Sequence, residues 1–142
     1  MNERIDLEEV ATRLTAQVDA SIHVGTAYDK DFIALFPKTF PAAWVVGQRA
    51  RPMDDGRGYS GRMRQNIRVE VVIRIIVQKV PATDNVDSRL SSLQNAVSDA
   101  LIGWKPTNAE RVFAWDLAQD GPPHEGSVTA DLIFVTQTTY QR

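Results

Sequence analysis

The sequence contains no cysteine, and its two histidines, His23 and His124, stand far apart. Disulfides, thiolate metal sites and a cysteine nucleophile are thereby excluded. Neither histidine belongs to an i, i+4 ligand pair, so no metal site is expected. His124 falls among prolines and glycines and reads as a solvated loop tip, and His23 reads as a strand residue rather than a general base. The phosphate-cradling GxxxxGK loop is also missing, and no GxGxxG run follows a strand to open a helix. Gly58–Tyr59–Ser60–Gly61 falls short of a nucleophile elbow, because its second glycine comes one residue early and no helix follows. Asp29 with Asp31 and Asp54 with Asp55 are carboxylate pairs in loop-like surroundings, where acidic side chains are ordinarily solvated. Lacking a nucleophile with a base and lacking a metal cluster, the chain is not expected to be an enzyme or to bind a cofactor.

Long apolar runs are absent too. The most apolar stretch, Val69 to Val77, is interrupted by Glu70 and Arg74 and is far shorter than the ~20 residues of a membrane-spanning helix, so no membrane partner is expected. The opening MNERIDLEEV lacks the basic flank and apolar run of a signal peptide. What is present is an ordinary globular composition: 142 residues, 43% hydrophobic, 24% charged, net charge −2. A chain of this size forms one domain and buries on the order of two thirds of the surface its unfolded form exposes.

Hydrophobic spacing predicts the elements. Leu7, Val10, Ala11, Leu14 and Val18 share one helical face, which places a helix over about 6–18. Asp6 is positioned to cap it, with Glu9 reaching back and Ile5 stapling onto Val10. Ser21 to Ala27 is a short strand candidate with Ile22 and Val24 on one face. Asp31 to Pro41, with Phe32, Ile33, Leu35, Phe36 and Phe40 around Pro37, reads as an apolar connector lying on the core. Ala43 to Ala50 resumes β character. Ile67 to Gln78 is the clearest strand, with Ile67, Val69, Val71, Ile73, Ile75 and Val77 on one face. Its other face alternates Arg68, Glu70 and Arg74 with Val72 and Ile76 and is expected to be partly solvated or covered by a partner. A second helix spans about 84–102, its apolar face formed by Val86, Leu90, Leu93, Val97, Ala100 and Leu101, and Gly103 and Pro106 end it. Arg111 to Ala118 and Ser127 to Thr139 form a closing hairpin across Gly121, Pro122, Pro123 and Gly126. The expected fold is α+β: a single domain over 1–142, with a mainly antiparallel or mixed sheet of about five strands and two amphipathic helices on one face.

One segment departs from this ordinary pattern. Between 49 and 68 the chain places Arg49, Arg51, Arg57, Arg62, Arg64 and Arg68, six of its sixteen basic residues, against Asp54 and Asp55. Gly56, Gly58 and Gly61 and the lack of apolar periodicity mark 51–66 as a long mobile loop. The arginine fork suits phosphate contacts or bidentate pairing with carboxylates; a solvated surface is the alternative. Tyr59 is its one aromatic residue, so the segment points to a protein neighbour rather than to the reading of a nucleic-acid sequence.

As a whole the chain resembles the tail terminator and minor tail proteins of long-tailed bacteriophages and prophages. The resemblance rests on the amphipathic first helix, the strand at Trp44 to Gln48 after a proline, and the long arginine-rich loop. It continues through Ile67 to Gln78, NVDSRLSSLQNAVSDALIGWKP at Asn85 to Pro106, and LIFVTQTTY at Leu132 to Tyr140. It implies a structural virion protein, located in the tail and assembled in the host bacterial cytoplasm. Such a protein forms a homo-oligomeric ring, a hexamer, that caps the tail tube, stops its polymerisation and offers a docking face to the head or neck. The partners it implies are further copies of the chain, the tail tube protein, a neck or connector protein, and non-specific contact with DNA passing the lumen. The alternatives are a head-to-tail connector subunit and a small nucleic-acid-binding module built on the arginine loop.

Overall fold

The computed structural model describes residues 4–27, 40–53, 64–79, 85–121 and 126–141, with only the backbone described at Arg64 and Gln141. In chain order they form α1 (Leu7–Gln17), β1 (His23–Thr26), β2 (Ala42–Pro52), β3 (Arg64–Gln78), α2 (Val86–Leu101), β4 (Ala114–Asp120) and β5 (Ser127–Gln141). The strands make one sheet in the order β1-β2-β3-β5-β4, in which β1 lies parallel to β2 and the remaining neighbours are antiparallel. This is the α+β single-sheet fold that the sequence predicts. Its centre is the β3–β5 ladder, fifteen residues on each strand.

Both helices start at side-chain caps, Asp6 accepting from the Glu8 amide and Asn85 from the Ser88 amide, each at 3.0 Å. Glu9 does not reach back as expected, because it finds better donors elsewhere. Its carboxylate accepts from Thr107 N at 2.8 Å and from Thr107 Oγ1 at 2.9 Å, tying the first helix to the segment after the second. Gly103, at φ +85°, turns the chain away from α2 in a conformation that side-chain-bearing residues rarely adopt.

The two helices share one core with one face of the sheet. Leu7, Val10, Ala11 and Leu14 of α1 and Leu93, Val97, Ala100 and Leu101 of α2 are buried. They belong to one cluster with Ile67, Val69, Val71, Ile73, Ile75 and Val77, the face of β3 expected from its alternation. Val86 and Leu90 pack on this cluster half-buried, so the N-terminal turns of α2 are less enclosed than its C-terminal turns. Each fully buried large side chain contributes roughly 1.5–3 kcal/mol. Beneath the end of α2, Phe113 meets Phe134 edge-on at 6.5 Å, and Trp104 stacks obliquely on Phe113. The Gln48 side-chain amide clamps the chain entering α1, accepting from Ile5 N at 2.9 Å and donating to Ile5 O at 2.8 Å.

Two boundaries differ from expectation. Pairing of β2 with β3 runs on through Arg51↔Arg68 to Pro52↔Ile67, and β3 begins at Arg64, so 51–52 and 64–66 are strand rather than loop. The backbone ladder continues there although apolar periodicity has stopped. The closing hairpin's first strand begins at Ala114 and continues to Asp120, two residues beyond the expected end at Ala118. Residues 31–39 of the expected connector, and 54–63 of the expected loop, lie outside the described residues.

Candidate assembly surface

The face of the sheet turned away from the helices carries the unusual chemistry. Alternation places Arg68, Glu70, Val72, Arg74 and Ile76 of β3 there, opposite Gln137, Val135, Ile133, Asp131 and Thr129 of β5. At one end, Ala42, Trp44 and Ile76 form a second buried cluster with Phe40 packed against it. The Trp44 ring lies across Gly25 so closely that a Cβ at that glycine would enter it. At mid-face, Val46, Val72, Ile133 and Val135 are half-buried and Leu117 is exposed. Gly47, Val72, Ile133 and Leu117 line up in register as an apolar row across four strands.

A β-bulge decides which arginines share this face. The register of β2 on β3 shifts between Val45 and Gly47, so Val46 is an extra residue and the alternation inverts beyond it. The inversion turns Gln48 to the helix side, where it meets Ile5, and brings Arg49 and Arg51 to the open face beside Glu70. A second shift, between Trp115 and Leu117, marks Asp116 in the same way on β4.

Glu70 is the hub. Its residue is 6% exposed, and its carboxylate accepts from Arg49 Nε at 3.0 Å and from Arg68 Nε at 3.3 Å, with Arg51 Nη2 at 3.9 Å. Arg68 also reaches Asp116 across β5, Nη2 to Oδ1 at 3.2 Å. Arg51 and Arg68 stand directly opposite each other, an arrangement of like charges that would destabilise the pairing without the carboxylate beside it. Burial by itself raises the Glu70 pKa. Hydrogen bonds from Arg49 and Arg68 and the charges of Arg49 and Arg51 outweigh it, holding the carboxyl below its usual value. Further along the face, Arg74 grips Asp131 with two bonds, Nε to Oδ1 at 2.8 Å and Nη2 to Oδ2 at 3.1 Å. The hydrogen bond to Asp131 raises the Arg74 pKa against the opposing effect of burial.

The six arginines singled out in the sequence therefore divide. Arg49, Arg51 and Arg68 are strand residues gathered on one carboxylate; Arg49 and Arg68 stand in the strands expected to flank the loop, and Arg51 is strand where loop was expected. Arg64 opens β3, with its side chain undescribed, and Arg57 and Arg62 lie outside the described residues. Setting the arginines against Asp54 and Asp55 alone overlooked Glu70, whose place two residues from Arg68 on an alternating strand was the available signal. The Arg74–Asp131 pair was overlooked as well, since it depends on the β3–β5 register. His23 is an exposed residue of the edge strand β1, and His124 lies outside the described residues. Among the described residues no group of three or more His, Asp or Glu side chains could hold a metal ion, and no helix is long and apolar enough to cross a membrane.

This surface is built of fixed ion pairs around an apolar row. It presents shape and charge. Residues 1–142 match the family model of the phage tail terminator protein. A chain from a solved structure described as the virion of a native gene transfer agent (GTA) particle superposes with a TM-score of 0.63 at 16% identity, covering 96% of each chain. At that identity the likeness establishes the fold. No curated protein matches the chain. With its whole length matched by the family model, the chain belongs to the phage tail terminator family.

Proposed function

We propose that the chain is a non-catalytic tail subunit that closes with copies of itself into a ring, a hexamer, at the end of the tail tube. One face of the ring caps the tube protein and stops its polymerisation, and the other docks the head through a neck or connector protein. Its place is the virion tail, after assembly in the host bacterial cytoplasm. Family membership supports this reading, and so does the open sheet face, where half-buried Val72, Ile133 and Val135 lie between two sets of fixed ion pairs. An apolar row bordered by ordered charges suits a protein neighbour, which covers the first and matches the second. A head-to-tail contact repeated by a closing rotation yields a ring whose two faces differ, as capping and docking both require.

The nucleic-acid reading is weakened at Arg68, which is already engaged by both Glu70 and Asp116. Non-specific contact with DNA in the lumen is compatible with Arg57, Arg62 and Arg64. Mass measurement of the purified chain, alone and with the tube protein, is expected to show a hexamer, and addition of the chain to growing tubes is expected to fix their length. A particle that stays monomeric with the tube protein present, and leaves tube growth unchanged, refutes the proposal.

A further inference from the structure

The charges of this chain are segregated along it. Residues 49–70 carry six arginines against Asp54, Asp55 and Glu70, a charge of +3, whereas 84–131 carry eight carboxylates against Arg89, Lys105 and Arg111, a charge of −5. The fold brings parts of the two stretches together, Arg68 on Asp116, but sends Arg49 and Arg51 to one corner of the sheet and Asp87 and Asp120 to the opposite one. Arg51 pairs with Arg68 toward the β2–β3 hairpin end, and Asp120 lies level with Ile75 through Ala130. Seven residues of strand and three strand spacings separate the two places, on the order of 25 Å. No arginine side chain spans that distance, so Arg49 and Arg51 cannot reach Asp87 and Asp120 within one copy.

The acidic corner has the form of a docking surface. Between α2 and β4 runs a groove of about 430 Å³, lined by Asp87, Leu90, Ser91, Gln94, Ala118 and Asp120 among others. Asp87 and Asp120 are exposed, and neither has an ion-pair partner among the described residues. Of the cations at this end, Arg89 is hydrogen-bonded to the Gln78 carbonyl, while Lys79 is exposed. The outer wall is β4, which ends the sheet, so its outward backbone groups have no strand beside them. Trp115, 47% exposed, and Leu117, 39% exposed, add apolar area along that edge. At the opposite corner Arg49 and Arg51 have side chains 64% and 54% exposed, with donors left over after the single carboxylate they share.

We infer that the arginine corner around Arg49 and Arg51 of one copy docks on the acidic α2–β4 edge, at Asp87 and Asp120, of the next. Like corners repel and unlike corners attract, and in the ring proposed above the contact repeats head-to-tail, so that each copy keeps one free corner of each sign until the ring closes. This inference rests on the ring proposed above and names the surfaces that build it. Trp115 and Leu117 lose their exposure in the contact, and the guanidinium donors left over by Glu70 meet Asp87 and Asp120.

Charge reversal tests it. Asp87→Lys with Asp120→Lys makes both corners basic, and Arg51→Glu removes charge of the other sign at its source while leaving Arg49 and Arg68 on Glu70. Each variant alone is expected to weaken self-association by on the order of tenfold or more, read by sedimentation or native mass spectrometry. An equimolar mixture of the two is expected to restore assembly, because the corners then complement each other in alternation. Melting temperatures are recorded for every variant. If the Arg51→Glu chain does not fold, the Asp87→Lys, Asp120→Lys chain combined with a salt titration of the wild type decides: loss of assembly in the first and salt-weakened assembly in the second support the inference. Wild-type rings that tolerate the aspartate reversals, or association indifferent to salt, overturn it while leaving the ring intact. A wild-type chain that never self-associates with the tube protein present overturns the ring itself. Duplex DNA binding that Arg51→Glu abolishes, with assembly unchanged, assigns the arginine corner to nucleic acid and overturns the inference.

Discussion

Replacing Glu70 by glutamine keeps the shape of the side chain and removes the charge that gathers Arg49, Arg51 and Arg68. A hydrogen bond to a charged group contributes roughly 1.5–3 kcal/mol net when both partners are enclosed. Here the carboxylate is enclosed but the Arg49 and Arg68 side chains are 64% and 34% exposed, so water recovers much of what each arginine loses. Against that recovery stands the Arg51–Arg68 opposition, which the glutamine no longer relieves. The expected cost of Glu70→Gln at pH 7 is therefore about 1–2 kcal/mol, a drop in melting temperature of about 3–8 °C for a chain of this size. Acid provides the control. A carboxyl whose folded pKa lies below its unfolded value near 4.5 adds stability that is complete above 4.5 and is lost as the pH falls through the folded value. Urea denaturation of wild type and variant, repeated from pH 7 down to about pH 2.5, is expected to show a gap that is widest at neutrality and closes in acid. A gap that persists unchanged in acid would mean that the loss comes from packing, and a gap under a few tenths of a kcal/mol at pH 7 would mean that the hub is incidental; either result refutes the electrostatic account.

Two further substitutions probe the core and the open face. Leu93→Asp puts an unpaired carboxylate where the wild-type residue is 4% exposed, beneath α2, and a loss of more than about 4 kcal/mol is expected, seen as loss of the cooperative urea transition. Gly25→Ala pushes a methyl into the Trp44 ring; a cost of about 1–3 kcal/mol is expected, together with a changed near-ultraviolet circular dichroism spectrum, and an unaltered spectrum would show that the ring has room to move.

Periodicity carried most of the fold. The helix stripes at Leu7–Leu14 and Leu93–Leu101 and the alternation of β3 are repetitive, and repetition survives in one dimension. The candidate surface was harder to read because it depends on register. Arg49 and Arg51 belong beside Glu70 only because Val46 is a bulge, and the one local sign of that extra residue is the glycine after it, Gly47. Arg74 and Asp131 are fifty-seven positions apart and meet only once β5 is laid on β3. The strand character of 51–52 and 64–66 was hidden for a related reason: the backbone ladder holds these residues, while Arg51 and Pro52 are exposed and Gln65 and Asn66 only half-buried.

The β3–β5 ladder also sets the order in which the protein can fold. β5 follows the other four strands in the chain, yet it occupies an interior place in the sheet, between β3 and β4. Until it leaves the ribosome, a nascent chain holds β3 with one naked edge and leaves the floor under α2 incomplete. Closing that gap means joining segments separated by the whole of α2 and β4, a slow, non-local step. Half-made subunits are therefore sticky rather than competent, and a copy becomes available for assembly only after its translation has reached β5.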